Sequence, residues 1–107
     1  MNNRALQVTF PDGSVWHVPA EIIAESRADY YAVEVDGHKS GGPEYQAEVA
    51  YALSEDGAYD LIDWARNNMH WKGIAKHART VKPPKPVDFR EAFSDADLDV
   101  IDVKGKP

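Results

Sequence analysis

Residues 5–18 read ALQVTFPDGSVWHV, and this alternation around a tight turn constrains the fold more than any other stretch. Pro11 suits position i+1 of a type I turn, and Gly13 suits the left-handed position that follows. A three-residue loop with a bulge at Gly13 opposes Phe10 to Ser14, Val8 to Trp16 and Leu6 to Val18. Leu6, Val8, Phe10, Trp16 and Val18 then share one face, and Gln7, Thr9, Val15 and His17 share the other. A two-residue Asp12-Gly13 loop would eject Trp16 and bring His17 among the apolar side chains, because a one-residue slip exchanges the faces. The first register is expected, with Trp16 buried against Ile22 or Ile23.

A hairpin with one apolar face needs a cover, and helical patterns follow it. Pro19 suits the first helical position, where its missing N–H costs nothing. Pro19, Ile22, Ile23, Ser26, Tyr30 and Val33 recur at helical spacing, opposite an acidic face of Glu21, Glu25 and Asp29. The glycines and proline of DGHKSGGP (36–43) mark a loop. A second helix is expected from about Glu44 to Ser54, with Tyr45, Val49, Ala52 and Leu53 inward. Asp56-Gly57 ends it, and Ala58, Leu61, Ile62, Ala65 and Met69 form the stripe of a third. Asn67-Asn68 predicts a stop and restart, since asparagine tolerates a left-handed C′ position and is also a good N-cap. A fourth helix from Met69 to about Arg79 would turn Trp71, Ile74, Ala75 and Ala78 inward. KPPKP (82–86) reads as an extended tether, Asp88-x-x-Glu91 as a capping-box start for a helical turn carrying Phe89 and Phe93, and LDVIDV (98–103) as strand-like with weak alternation.

The expected architecture is α+β in one domain, residues 1–107: a hairpin at 6–18, a helical part at 19–81, the tether at 82–86 and an irregular acidic tail at 87–107. A chain of 107 residues buries roughly two-thirds of its unfolded surface, enough for a core without staples. It has no cysteine, which excludes disulfides, thiolate metal sites and cysteine nucleophiles. No apolar run approaches the ~20 residues of a membrane span, and MNNRALQVTF lacks a signal-peptide core. A cytoplasmic protein is expected.

The net charge of -6 is unevenly spread. Residues 1–63 carry three basic and twelve acidic side chains. Residues 64–87 carry six basic ones and no acidic one: Arg66, Lys72, Lys76, Arg79, Lys82 and Lys85. Spacings of four and three place Lys72, Lys76 and Arg79 on one exposed helical face, extended by Lys82 and Lys85. Such a stripe suits an acidic protein partner or nucleic-acid phosphates, and it could equally pair with the chain's own Glu21, Glu25 and Asp29 or with its Asp95–Asp102 tail.

Other chemistries find little support. His70 and His77 lie two helical turns apart, too far to share a metal without a kink at Gly73, and no cysteine or adjacent carboxylate completes a set. Asp95, Asp97 and Asp99 have calcium-loop spacing, but Val100 stands where glycine is needed and Lys106 where glutamate is needed. No nucleophile elbow, glycine-rich phosphate loop or HExxH occurs, so no catalytic residue, metal or cofactor is expected. Trp64 and Trp71 read as packing residues.

PDGSVWHVPAEIIAESRADYYA with AYDLIDWARNNMHWKGIAKHARTV resembles small proteins encoded in tailed-bacteriophage and prophage genomes. These pair a PDGS-W-x-VP opening with a later IDW-A-x-NNM-x-W segment. The resemblance covers residues 8–31 and 58–81 and carries no functional residue across, because no activity is established for the pattern. It implies a bacterial host cytoplasm or a virion, and an accessory role such as binding a host or defence factor. The expected function is non-catalytic binding of a protein partner through Lys72, Lys76, Arg79 and Lys82. The alternative is a nucleic-acid-binding accessory protein using residues 66–85.

Overall fold

The computed structural model describes residues 4–82, 93 and 96–103. The hairpin forms in the expected register: β1 (Arg4–Thr9) pairs antiparallel with β2 (Val15–Pro19), Leu6 opposite Val18 and Val8 opposite Trp16. The Phe10 N–H donates to the Ser14 carbonyl at 2.9 Å and the Gly13 N–H to the Phe10 carbonyl at 2.9 Å. Gly13 takes φ of 87°, a conformation in which a side chain would crowd the backbone. The Asp12 carboxylate accepts the Ser14 N–H at 2.8 Å and closes the turn.

Two further strands widen the hairpin into an antiparallel sheet of order β3-β2-β1-β4, with β3 at Arg79–Lys82 and β4 at Asp97–Asp102. β3 corrects the sequence reading, and β4 makes a strand of the segment read as strand-like, within what was expected to be an irregular tail. The helical part does not run to 81, Lys82 belongs to a strand rather than a tether, and residues 97–102 of the expected irregular tail are ordered on β1. Leu98 lies opposite Val8 and Val100 opposite Leu6, so β4 extends the apolar face, while Asp97 and Asp99 point to the other side. The hairpin supplies a partner edge along the whole of β1, and that edge orders a segment whose own alternation is weak. Arg4 ties the corner, with Nε 3.2 Å from an Asp102 carboxylate oxygen and Nη1 donating to the Leu53 carbonyl at 3.2 Å. The rest of the expected tether, residues 83–86 with Lys85 among them, lies outside the described residues, as do Asp88, Phe89, Glu91 and Asp95.

Helices cover one face of the sheet. α1 (Ala20–Ala28) begins after Pro19, which is its N-cap and the last residue of β2 rather than the first helical one. The buried stripe is Ala20, Ile23, Ala24 and Ala28, continued by Ala32. This is not the expected line through Ser26, Tyr30 and Val33. Alanines let the helix approach the strands closely, and the larger side chains are turned to its flanks. α1 runs into a π-helical segment, Asp29–Val35, whose looser turn lets the consecutive Tyr30 and Tyr31 both reach Trp64, at ring centroids of 5.4 and 5.6 Å. Arg27, bonded to Glu48 at 2.8 Å, stacks on Tyr31 and Tyr51 and ties α1 to α2 (Pro43–Leu53).

α3 (Ala58–Asn68) and α4 (Trp71–Ala75) are separated as the sequence predicts, but the break is made differently. No described residue other than glycine has positive φ. Met69 and His70 are instead extended, at φ/ψ of -124°/161° and -120°/144°, while Asn67 donates to Asp63 at 2.8 Å one turn back. α4 ends at Ala75, four residues short of the expected limit.

The core joins both layers: Leu6, Val8, Phe10 and Val18 from the hairpin, Ile23 from α1, and Leu61, Trp71 and Ile74 from α3 and α4. Trp71 is 5 % exposed and meets Phe10 edge-on at 5.0 Å and Trp16 edge-on at 5.6 Å. Trp16 itself is half-buried. It lies on the apolar face as expected, but it is only partly covered and leans on the Trp71 ring.

Candidate functional site

The four basic residues singled out by the sequence are all exposed. Their support is not one helix face. Lys72 sits in α4, Lys76 follows its last residue, and Arg79 and Lys82 are the two ends of β3. Among the described residues none of the four is in an ion pair. β3 is an edge strand, and Val81 is a bulge on it: Lys82 pairs with Val15 and Thr80 with Trp16, leaving Val81 without an opposite residue and 52 % exposed. A short, bulged, charged edge resists strand addition.

Lys72 and Lys76 also line a groove of about 870 Å³ between α1 and residues 69–77. One wall carries Glu25 and Asp29; the other carries His70, Lys72, Lys76 and His77. The walls have opposite charge, but no described ion pair bridges them. The field of the acidic wall is felt on α2, where burial, then Asp29, then Glu25 raise the Tyr45 phenol above its ordinary pKa. His70 and His77 share this wall. Among the described residues, no group of three or more histidine, aspartate or glutamate side chains is arranged to hold a metal ion.

A second hollow, of about 430 Å³, lies on the other side of the 69–72 ridge. Its apolar part is Met69, Trp71 and Phe93; Arg66, His70 and Lys72 surround it. The Phe93 and Trp71 rings are 5.6 Å apart, and Phe93 is 3 % exposed. The sequence reading did not find this hollow, because Phe93 reaches it from beyond the proline-rich segment.

The sheet face away from the helices carries a polar row. His17 lies opposite Arg79 on β3 and Gln7 on β1, and Gln7 lies opposite Asp99 on β4. His17 Nε2 and Gln7 Oε1 are 3.0 Å apart, which fits an Nε2–H donor, and the buried Nδ1 has no hydrogen-bond partner among the described residues. Burial first, and the Arg79 charge second, lower the His17 pKa from its ordinary 6.5.

A third exposed feature is aromatic: Tyr30, 41 % exposed, and Tyr31, 39 % exposed, packed on the half-buried Trp64, whose Nε1–H donates to Ser26 Oγ at 3.0 Å. Set against known protein families, curated proteins and solved structures, the chain matches none. No helix among the described residues is long and apolar enough to cross a membrane.

Proposed function

We propose that this is a non-catalytic accessory protein that binds an acidic protein partner through Lys72, Lys76, Arg79 and Lys82. One observation carries the reading: on a chain of net charge -6, these four cations are exposed and make no ion pair among the described residues. Pairing with the chain's own acidic face was the competing explanation. Glu25 and Asp29 do line a groove with Lys72 and Lys76, but the charges stand apart across it. Cations left unneutralised in this way steer an oppositely charged partner and add little to stability. The phage-type setting, a host cytoplasm or virion, rests on the sequence resemblance alone.

The test is a triple reversal, Lys72→Glu, Lys76→Glu and Arg79→Glu, compared with the wild type in affinity purification from host cells and in thermal melts. The expected result is loss of a stoichiometric acidic partner with the melting temperature nearly unchanged. A lower, salt-dependent melting temperature with the partner retained would assign the cations to self-pairing. A low-salt gel-shift titration addresses the alternative, nucleic-acid binding by residues 66–85. Retardation that is lost in the triple variant would replace the protein partner with a nucleic acid.

A further inference from the structure

The hollow beside the basic surface has a composition that the surface alone does not explain. Its apolar floor is packed into the core: Trp71 meets Phe10 and Trp16 edge-on, and Phe93 lies against it. Its rim is polar and carries two cations, Arg66 and Lys72. Arg66 Nη2 donates to the Ala96 carbonyl at 2.8 Å, which orients the guanidinium and leaves its other nitrogens without a partner among the described residues. Lys72 and His70 are exposed, and Asn67 adds an amide. Among the described residues no aspartate or glutamate lines it, in contrast to the groove on the other side of the ridge.

We infer that this hollow is an anchor site for a bulky apolar side chain flanked by carboxylates on the acidic partner. The inference rests on the reading that the basic surface meets such a partner, and it adds which side chain the partner presents. A volume of about 430 Å³ lies within the ~300–1,000 Å³ of ligand-sized sites and exceeds what one aromatic side chain fills. The floor excludes water from an inserted ring, and the ring is the kind of anchor on which interfaces concentrate their binding energy. The cations of the rim select the charge beside it: a carboxylate next to the ring meets Arg66 or Lys72, while an ammonium or guanidinium there meets their like charge. Lys72 belongs to both sites, so the anchor and the cationic surface can be occupied by one continuous segment.

The test uses three acetylated, amidated pentapeptides in nuclear magnetic resonance titrations at low salt. Two have two aspartates on either side of a central residue, tryptophan in one and alanine in the other; the third has tryptophan between arginines. The alanine peptide reports the basic surface through shifts at Lys72, Lys76, Arg79 and Lys82. The tryptophan peptide is expected to bind about tenfold tighter, the effect of burying one ring at a shallow site, and to move the Trp71 indole N–H and the Met69 methyl as well. His70→Glu places a carboxylate on the rim without touching the core. It should remove the tryptophan preference while the shifts at Arg79 and Lys82 persist. Equal affinity for the two acidic peptides, or a stationary Trp71, would overturn the anchor and leave the basic surface standing. The anchor is also overturned if a tryptophan peptide with arginines in place of the aspartates binds as well. Absence of any shift with either acidic peptide would overturn both.

Discussion

Arg79 stands opposite His17 on the β2–β3 ladder, and its guanidinium opposes a second charge on the imidazole. The folded state therefore favours neutral His17 more than the unfolded chain does, with burial as the larger cause and Arg79 as the smaller. Because the folded pKa lies below the unfolded one, the unfolded chain binds the proton more readily between the two values. The stability contributed by neutral His17 is complete above pH 6.5 and falls as the pH drops through the folded pKa. His17→Gln should flatten this part of a stability-versus-pH profile measured in urea. Arg79→Gln should raise the His17 pKa, read from its ring protons, without restoring it fully. A His17 pKa at or above 6.5 in the wild type would contradict the packing described for β2.

Trp71 and Trp16 touch one another but should not weigh equally. Trp71 also meets Phe10 and Phe93 and is 5 % exposed, so Trp71→Ala should cost about 3–5 kcal/mol. Trp16 lies half-buried at the margin of the same cluster, and its truncation should cost roughly half as much. Denaturant melts of the two variants check the order. Equal or reversed values would mean that the hairpin, rather than α4, carries the centre of the core.

Two glycine substitutions should have opposite signs. A Cβ on Gly57 would run into the Tyr51 carbonyl and come within 3.0 Å of the Ala52 Cα, backbone that cannot yield without moving α2 against α3. Gly57→Ala should destabilise by about 1–3 kcal/mol. Gly73 lies inside α4 with open space around its missing side chain, so Gly73→Ala should stabilise by up to about 1 kcal/mol through helix propensity. Thermal melts decide both signs.

The legible parts of this fold were the local ones. Turn chemistry at Pro11 and Gly13 set the hairpin register, and the apolar spacing of Leu61 and Ala65 placed α3. What escaped depended on distant partners. β3 forms because the hairpin offers an open edge along β2, a property that RTVK does not carry in itself; residues 98–103 read as strand-like, but their pairing along β1 was not legible. The buried line of α1 escaped for another reason. Its alanines are weak markers of an inward face, whereas Tyr30 and Val33 are strong ones, and the π-helical segment then turned Tyr30 outward. The exposure of Lys72, Lys76, Arg79 and Lys82 could be read from composition. That α4 and β3 divide them, and that Lys72 borders a hollow completed by Phe93, could not.

The pairing of β1 with β4 also bears on how the molecule assembles. Thr9 faces Asp97 and Arg4 faces Asp102, so this ladder closes a loop over most of the chain. Loop-closure entropy makes such a contact late, whereas the hairpin and the α1–α2 pair need only near neighbours. During that interval the outer edge of β1 is an open row of donors and acceptors. Lys and Arg guard the β3 edge, but β1 offers only Arg4 among its six residues. The partly folded chain is thus most prone to pair with a second copy along β1, and the late arrival of β4 is what ends that exposure.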